Sequence, residues 1–145
     1  MRRPLSLVAA CLAALALAAC GEKEEPDFTG PGAQPPANPL EPIAGTWSGT
    51  LEQRGIKPFT VRVTIASAQK PAKNPVSYTG LSCAGTWDFQ SREEAGYHFR
   101  EVISRGAGAK CKGVGDVTVT PRGNRLAYRF SGGGVTSSGV LSRSG

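Results

Sequence analysis

Few side chains in this sequence could carry out covalent or metal chemistry, and those few are far apart. The chain of 145 residues has four Cys and a single His, His98. No cluster of His, Cys and Asp has the spacing of a metal site. A catalytic triad needs a His beside a nucleophile and a carboxylate, whereas His98 lies between Tyr97 and Phe99 in a strand-like segment. The sequence therefore predicts no catalytic residues, no metal and no cofactor.

Cys20 ends an N-terminal segment that is typical of an export signal. Arg2 and Arg3 are followed by an uncharged apolar run of 15 residues, from Leu5 to Ala19. The run is shorter than the roughly 20 residues of a membrane-spanning helix and fits a secretory signal peptide over residues 1–19. The motif Leu17-Ala18-Ala19-Cys20 resembles the lipobox of bacterial lipoproteins, in which the cysteine is lipidated and becomes the mature N-terminus.

This resemblance implies an envelope protein that is anchored in a membrane through acyl chains on Cys20. Several acyl chains bury many methylenes at about 0.8 kcal/mol each, so the anchoring is effectively permanent. An Asp after the cysteine resembles an inner-membrane retention signal, and Gly21 stands there instead. An outer-membrane location, on the periplasmic side, is thus implied if the host is diderm. Nucleic acid is not an expected partner in this extracytoplasmic location.

The segment after the anchor is predicted to be a tether, and a single domain is predicted to follow it. Residues 20–42 contain six prolines, which interrupt both helices and strands, so we expect a disordered tether here. The domain is predicted over residues 43–145. From Ile43 onward the chain has 14 Lys and Arg against 6 Asp and Glu, a net charge of +8.

Cys83 and Cys111 are the two cysteines of the predicted domain. Export places them in an oxidising compartment, where two thiols in a small domain generally pair. We therefore predict a disulfide between them. Closing this loop would stabilise the folded state by roughly 3.5 kcal/mol through loss of entropy in the unfolded chain.

Alternation with a period of two predicts an all-β domain. The clearest case is Phe59–Ile65, in which Phe59, Val61, Val63 and Ile65 share one face. About eight short antiparallel strands are expected, arranged as a small up-and-down barrel or as a two-sheet sandwich. The predicted strands are 46–53, 59–65, 76–82, 86–90, 97–103, 117–120 (ending at Pro121, before a tight turn at 122–124), 126–130 and 135–142.

Gly45-Thr46-Trp47 resembles the G-x-W opening of lipocalins and other calycins. In those barrels the Trp closes one end, and a basic residue of the last strand packs over it. The resemblance implies that Arg143 packs over Trp47.

A longer and looser likeness runs from Tyr78 through Cys83, Glu101 and Cys111 to Phe130. It resembles small extracytoplasmic β-domains of bacterial lipoproteins and of receptor-like serine/threonine kinases. The likeness implies a disulfide-closed β-domain with a sensing or binding role, and it supplies no catalytic residue.

Glu101 is the carboxylate that the pattern places among apolar side chains. It shares its strand face with Tyr97, Phe99 and Ile103, so it is predicted to be buried. A buried carboxylate needs a partner, and the candidates are an arginine ion pair, through Arg125 or Arg129, or the hydroxyl of Tyr78 or Tyr128.

The excess of positive charge indicates an anionic partner. Alternation places Arg62, Arg100 and Arg129 on outward faces, and Lys110 and Lys112 lie in a glycine-rich loop. We expect a non-enzymatic binding module that presents these residues as a cationic face to an anionic envelope component or an envelope protein. Two alternatives stay open, namely an inhibitor or immunity-type lipoprotein acting on an envelope-active enzyme and a calycin-type carrier of a small ligand.

Overall fold

The computed structural model describes residues 38–70 and 73–145 of the chain. The predictions for the signal peptide, for Cys20 and for residues 21–37 of the tether lie outside the described residues. Leu40 is fully buried in the core of the domain. The folded domain therefore begins before residue 43, the boundary that the proline content indicated.

The described residues form eight antiparallel strands that close into a barrel in chain order. The strands are β1 (Gly45–Gln53), β2 (Phe59–Ile65), β3 (Pro75–Thr79), β4 (Cys83–Glu93), β5 (Gly96–Arg105), β6 (Val114–Arg122), β7 (Arg125–Gly132) and β8 (Val135–Arg143). Each strand pairs with the next one, and β1 also pairs with β8, for example through Trp47 and Arg143. The all-β prediction is confirmed, and the barrel rather than the sandwich is the architecture.

The alternation in sequence produces this barrel because one face of every strand is buried in a common interior. In β2, Phe59, Val61, Val63 and Ile65 are buried, while Thr60 and Arg62 between them are exposed. Full closure leaves none of the described strands as a free edge, which removes a common site of aggregation.

Trp47 closes one end of the barrel, which we call the closed end. A short 3₁₀ helix, Glu41–Ile43, lies beside it, and the backbone oxygen of Ile43 accepts a 2.8 Å hydrogen bond from the indole nitrogen of Trp47. The guanidinium of Arg143 lies 4.4 Å from the centre of the Trp47 ring and donates to the backbone oxygen of Ala44 at 2.8 Å. The packing that the G-x-W resemblance implied is thus confirmed.

Every strand except β2 differs from its predicted bounds by one to three residues at one or both ends, and two of these differences have a clear physical reason. β6 continues past Pro121 to Arg122, because the pairing of β6 with β5 ends at Tyr97 and Val119. On the side of β5, no strand residue is paired with Pro121, so no hydrogen bond is lost through its missing N–H. Proline is tolerated at such unpaired positions of a strand. β3 ends at Thr79, where a turn with positive φ at Gly80 and Ser82 reverses the chain.

None of the helices in the described ranges has both the length and the apolar character that a membrane span requires.

Candidate functional site

The barrel end opposite Trp47, which we call the mouth, carries a concentration of positive charge. Four loops form it, at residues 54–58, 80–82, 106–113 and 133–134. These loops contain no Asp or Glu, and they contain four cations, which we call the cationic rim: Arg54, Lys57, Lys110 and Lys112. The loops of the mouth therefore present only positively charged side chains to an approaching anion.

A small pocket leads from the mouth into the barrel. Lys110 and Lys112 line its outer part, and Glu101, Tyr78 and Tyr128 line its inner part. Its volume is about 20 Å³, which is room for roughly one water molecule. The interior predicted for a carrier is instead filled by side chains, with Trp47, Tyr97, Phe99 and Tyr128 all in the core.

Glu101 forms the centre of a buried hydrogen-bond network at the base of this pocket. The residue is 3% exposed. Its Oε2 accepts a hydrogen bond from the hydroxyl of Tyr78 and another, at 2.8 Å, from the indole nitrogen of Trp87. The hydroxyls of Tyr78 and Tyr128 lie 3.3 Å apart, and the Tyr128 ring stacks on Trp87. The network is polar, and apolar packing surrounds it.

Burial raises the pKa of Glu101 above its ordinary value of 4.5, and the hydrogen bonds from Tyr78 and Trp87 offset part of this effect. Burial also raises the pKa of Tyr78 well above its ordinary 10.0, and the pKa of Tyr128 rises for the same reason, with the charge of Glu101 as a further cause.

The predicted burial of Glu101 is confirmed, and of its two predicted kinds of partner the hydroxyl of Tyr78 is the one found. No arginine ion pair with Glu101 occurs in the described ranges, and Arg125 and Arg129 are exposed. Sequence analysis missed Trp87, which lies directly opposite Glu101 across β4 and β5. The sequence signal for Trp87 is that Gly85-Thr86-Trp87 repeats the Gly45-Thr46-Trp47 motif, but a repeat of this kind does not give the strand register.

A disulfide joins Cys83 at the start of β4 to Cys111 in the loop 106–113, as predicted. Cys111 stands between Lys110 and Lys112, so the bond attaches the part of the cationic rim that faces the pocket to a strand. Two backbone hydrogen bonds hold the same loop, from Gly108 to Cys111 at 2.7 Å and from Ile103 to Gly113 at 2.8 Å.

The glycine turn 133–134 positions the side chain of Lys112. Gly133 and Gly134 both have positive φ, at 56° and 78°, as a two-residue type I′ hairpin turn requires. A Cβ at Gly133 would lie 2.8 Å from Cγ and Cδ of Lys112. The lysine stem therefore packs directly on this turn.

The structure does not bring the predicted cationic residues together on one face. Arg62, Arg100 and Arg129 lie on β2, β5 and β7, which are spread around the closed barrel. The prediction of a single cationic face is therefore wrong, because outward alternation fixes the side of a strand but not its place around the barrel. Lys110 and Lys112 do lie together, at the mouth.

Arg100 is in addition compensated by acidic neighbours. It lies directly opposite Asp88 on β4 and Asp116 on β6, and its guanidinium is 3.9 Å from the carboxylate of Asp116. Arg129 lies between Thr118 and Ser138. Of the three outward arginines, Arg100 is thus the least suited to bind an external anion.

His98 lies on the outside of β5, away from the pocket. Its Nδ1 is 3.2 Å from the hydroxyl of Thr118, and its Nε2 is 3.6 Å from the carboxylate of Glu93. Both contacts are with side chains on neighbouring strands, so they fix the ring on the barrel surface.

In the described ranges, no three His, Cys, Asp or Glu side chains are grouped as a metal site would require. No protein-family model matches the chain, and no curated protein matches its sequence. The features that bear on function are therefore the barrel, its charge and the pocket at its mouth.

Proposed function

We propose that this protein is a lipid-anchored, non-enzymatic binding module of the bacterial cell envelope. In this proposal the acylated Cys20 holds the chain at the membrane, and the barrel binds an anionic envelope component through its mouth. The observation that carries the proposal is that two lysines of the cationic rim, Lys110 and Lys112, line the pocket of Glu101, while the loops of the mouth contain no acidic side chain. Acylation at Cys20 rests on the lipobox resemblance alone.

The geometry of the mouth supports contact at the rim rather than enclosure of a ligand. A pocket of about 20 Å³ is far smaller than the roughly 300–1,000 Å³ of ordinary small-molecule sites. An anionic group at the end of a larger partner could lie between Lys110 and Lys112. A pocket of this size favours a binding module over a carrier of a small ligand.

The experiment that tests the proposal is capture from envelope extract at low and high salt. The bait is the full-length chain with Cys20→Ser, immobilised through an added affinity tag. We expect capture of an anionic component at low salt and its release at high salt, because exposed charges are screened beyond about 8–10 Å at physiological ionic strength.

Two other outcomes of this capture are informative. Retention of one protein at high salt would favour the inhibitor or immunity-type alternative, since an interface with a buried core is less sensitive to screening. Failure to retain any anionic component at low salt would contradict the proposal.

A further inference from the structure

A second group of arginines lies on the outer surface of the barrel, in one cross-strand row. Arg62 is directly opposite Ser77 across β2 and β3, Ser77 is opposite Ala84 across β3 and β4, and Ala84 is opposite Arg105 across β4 and β5. Directly opposed residues of antiparallel strands project from the same face. Two arginines therefore stand at the ends of this row, with two small residues between them.

Arg105 reaches the outer face because β5 contains a bulge. Gly85 is opposite Ile103, whereas the preceding residue, Ala84, is opposite Arg105, so Ser104 is the extra residue. A bulge of one residue reverses the alternation of the strand. Ile103 is consequently buried while Arg105 is exposed, although strict alternation would have placed both inside.

The row forms an open groove with hydrogen-bond donors along it. The groove has a volume of about 410 Å³, and Arg62 and Arg105 line it together with the hydroxyl residues Thr64, Ser77 and Ser104. Neither arginine forms an ion pair with a described acidic residue. Arg62 has a 3.5 Å contact with the backbone oxygen of Gly145. Apart from this long contact of Arg62, both guanidinium groups line the groove and are open to an external ligand.

We propose that this groove is a phosphate-binding site, with the guanidinium groups of Arg62 and Arg105 and the hydroxyl of Ser77 as its donors. Guanidinium groups bind oxyanions through two parallel hydrogen bonds. A phosphate group has enough acceptor oxygens for an arginine fork and a hydroxyl at once. The proposal rests on the proposed function only in that the partner is anionic, and its site is separate from the mouth.

The course of the row indicates that the phosphates belong to a linear polyanion. Beyond Arg62 the row continues through Ser48 and Ser142 to Arg125. Arg62 is thus three strands from Arg105 on one side and three strands from Arg125 on the other, about 14 Å in each direction at the usual strand spacing. Three strands span three-eighths of the circumference of this eight-stranded barrel, so the three arginines point in different directions. A flexible chain can follow this row, whereas a flat membrane surface contacts one part of it.

The test measures binding of the full-length protein, in detergent, to long-chain inorganic polyphosphate. We expect Arg62→Gln and Arg105→Gln each to weaken binding by about tenfold, as expected for loss of a charge-assisted hydrogen bond. Arg100→Gln is the matched control, because it removes the same charge from a site between Asp88 and Asp116. We expect it to change binding by less than about twofold. Inorganic phosphate alone should bind more weakly than the polymer.

A second pair of variants separates the groove from net charge. Ser77→Glu adds a carboxylate beside Arg62, and Ser138→Glu adds one beside Arg129 on the surface of β8. Only the first variant should reduce polyphosphate binding strongly, and thermal unfolding should show that both variants are folded.

Three outcomes would overturn the inference. The first is equal weakening by Arg62→Gln and Arg100→Gln, which would indicate net charge alone. The second is that polyphosphate does not bind the wild-type protein at physiological salt, or that it binds the wild type and the groove variants equally well. The third is that the groove variants lose binding to anionic phospholipid vesicles while polyphosphate does not compete with the vesicles for the wild-type protein. That result would assign the groove to a membrane surface.

Capture of an envelope component at the mouth is measured separately, so either proposal can fail while the other stands.

Discussion

The indole nitrogen of Trp87 donates a 2.8 Å hydrogen bond to Oε2 of Glu101, and the two residues lie directly opposite each other on β4 and β5. Tyr78 donates to the same oxygen from β3. The carboxyl group thereby connects strands on both sides of Trp87 in the middle of the barrel. A polar network with these partners is stable in a core, whereas a lone carboxylate would not be.

Replacement of Glu101 by Gln should change how stability depends on pH. Burial raises the folded pKa of Glu101 above 4.5, so the folded state binds more protons than the unfolded state just above that pH. The contribution of this group to the free energy of unfolding is therefore complete below about pH 4.5 and is lost as pH rises through the folded pKa. Each unit of difference in pKa corresponds to about 1.4 kcal/mol. Glu101→Gln should remove this part of the pH dependence in urea unfolding measured across the acidic and neutral range.

Glu52→Gln is the control for this experiment, because Glu52 is an exposed residue of β1. Its unfolding curves should keep the pH dependence of the wild type. If the curves of wild type and Glu101→Gln are parallel at all pH values, Glu101 does not titrate differently in the folded state.

Removal of the disulfide by Cys83→Ser with Cys111→Ser should lower the free energy of unfolding by about 3.5 kcal/mol, because the bond closes a span of 28 residues. Chemical denaturation measures this loss. Thiol labelling of the native protein, isolated from cells without reductant, should leave Cys83 and Cys111 unmodified, and labelling of both would show that they do not pair in the cell.

Arg143→Gln should loosen the closed end of the barrel. The substitution removes the cation–π contact with Trp47 and the hydrogen bond to the Ala44 backbone oxygen, together about 1–2 kcal/mol of unfolding free energy. Arg129→Gln removes an equal charge from the outer surface and should cost less than about 0.5 kcal/mol. Thermal unfolding of both variants gives the comparison, and equal losses would contradict the role of Arg143.

Cys20→Ser should release the protein from the membrane. Without the acyl chains the exported chain has lost the anchor that the lipobox resemblance implies, so it should fractionate with soluble envelope proteins. Membrane fractionation followed by mass spectrometry of the N-terminal peptide tests this expectation. A Cys20→Ser chain that stays in the membrane fraction would require another means of attachment.

Alternation predicted most of this fold, because one buried face per strand is a local property of the sequence. It placed Phe59 and Val61 inside, Arg62 outside and Glu101 in the core, all as the structure has them. It could not show which strands are neighbours around a closed barrel, so it joined Arg62, Arg100 and Arg129 into one face. It also could not show that the bulge at Ser104 turns Arg105 outward.

The G-x-W resemblance added one contact that alternation alone does not give. The packing of Arg143 on Trp47 followed from the G-x-W opening, since cross-strand contacts between the first and last strands have no local signal. No resemblance predicted the hydrogen bond from Trp87 to Glu101. Alternation could not predict it either, because the register between β4 and β5 depends on bulges whose positions the sequence does not mark.

The most direct test of the proposed function compares two pairs of lysines at opposite ends of the barrel. Lys110→Gln with Lys112→Gln removes two charges from the mouth, and Lys70→Gln with Lys73→Gln removes two from the loop that joins β2 and β3. Binding of each Cys20→Ser chain to isolated envelope membranes is measured at low salt. We predict that the mouth variant binds about tenfold more weakly than the parent chain, a loss of about 1.4 kcal/mol for two exposed charge contacts, while the control variant binds as the parent does. Equal weakening in the two variants, or none in either, would contradict a binding site at the mouth.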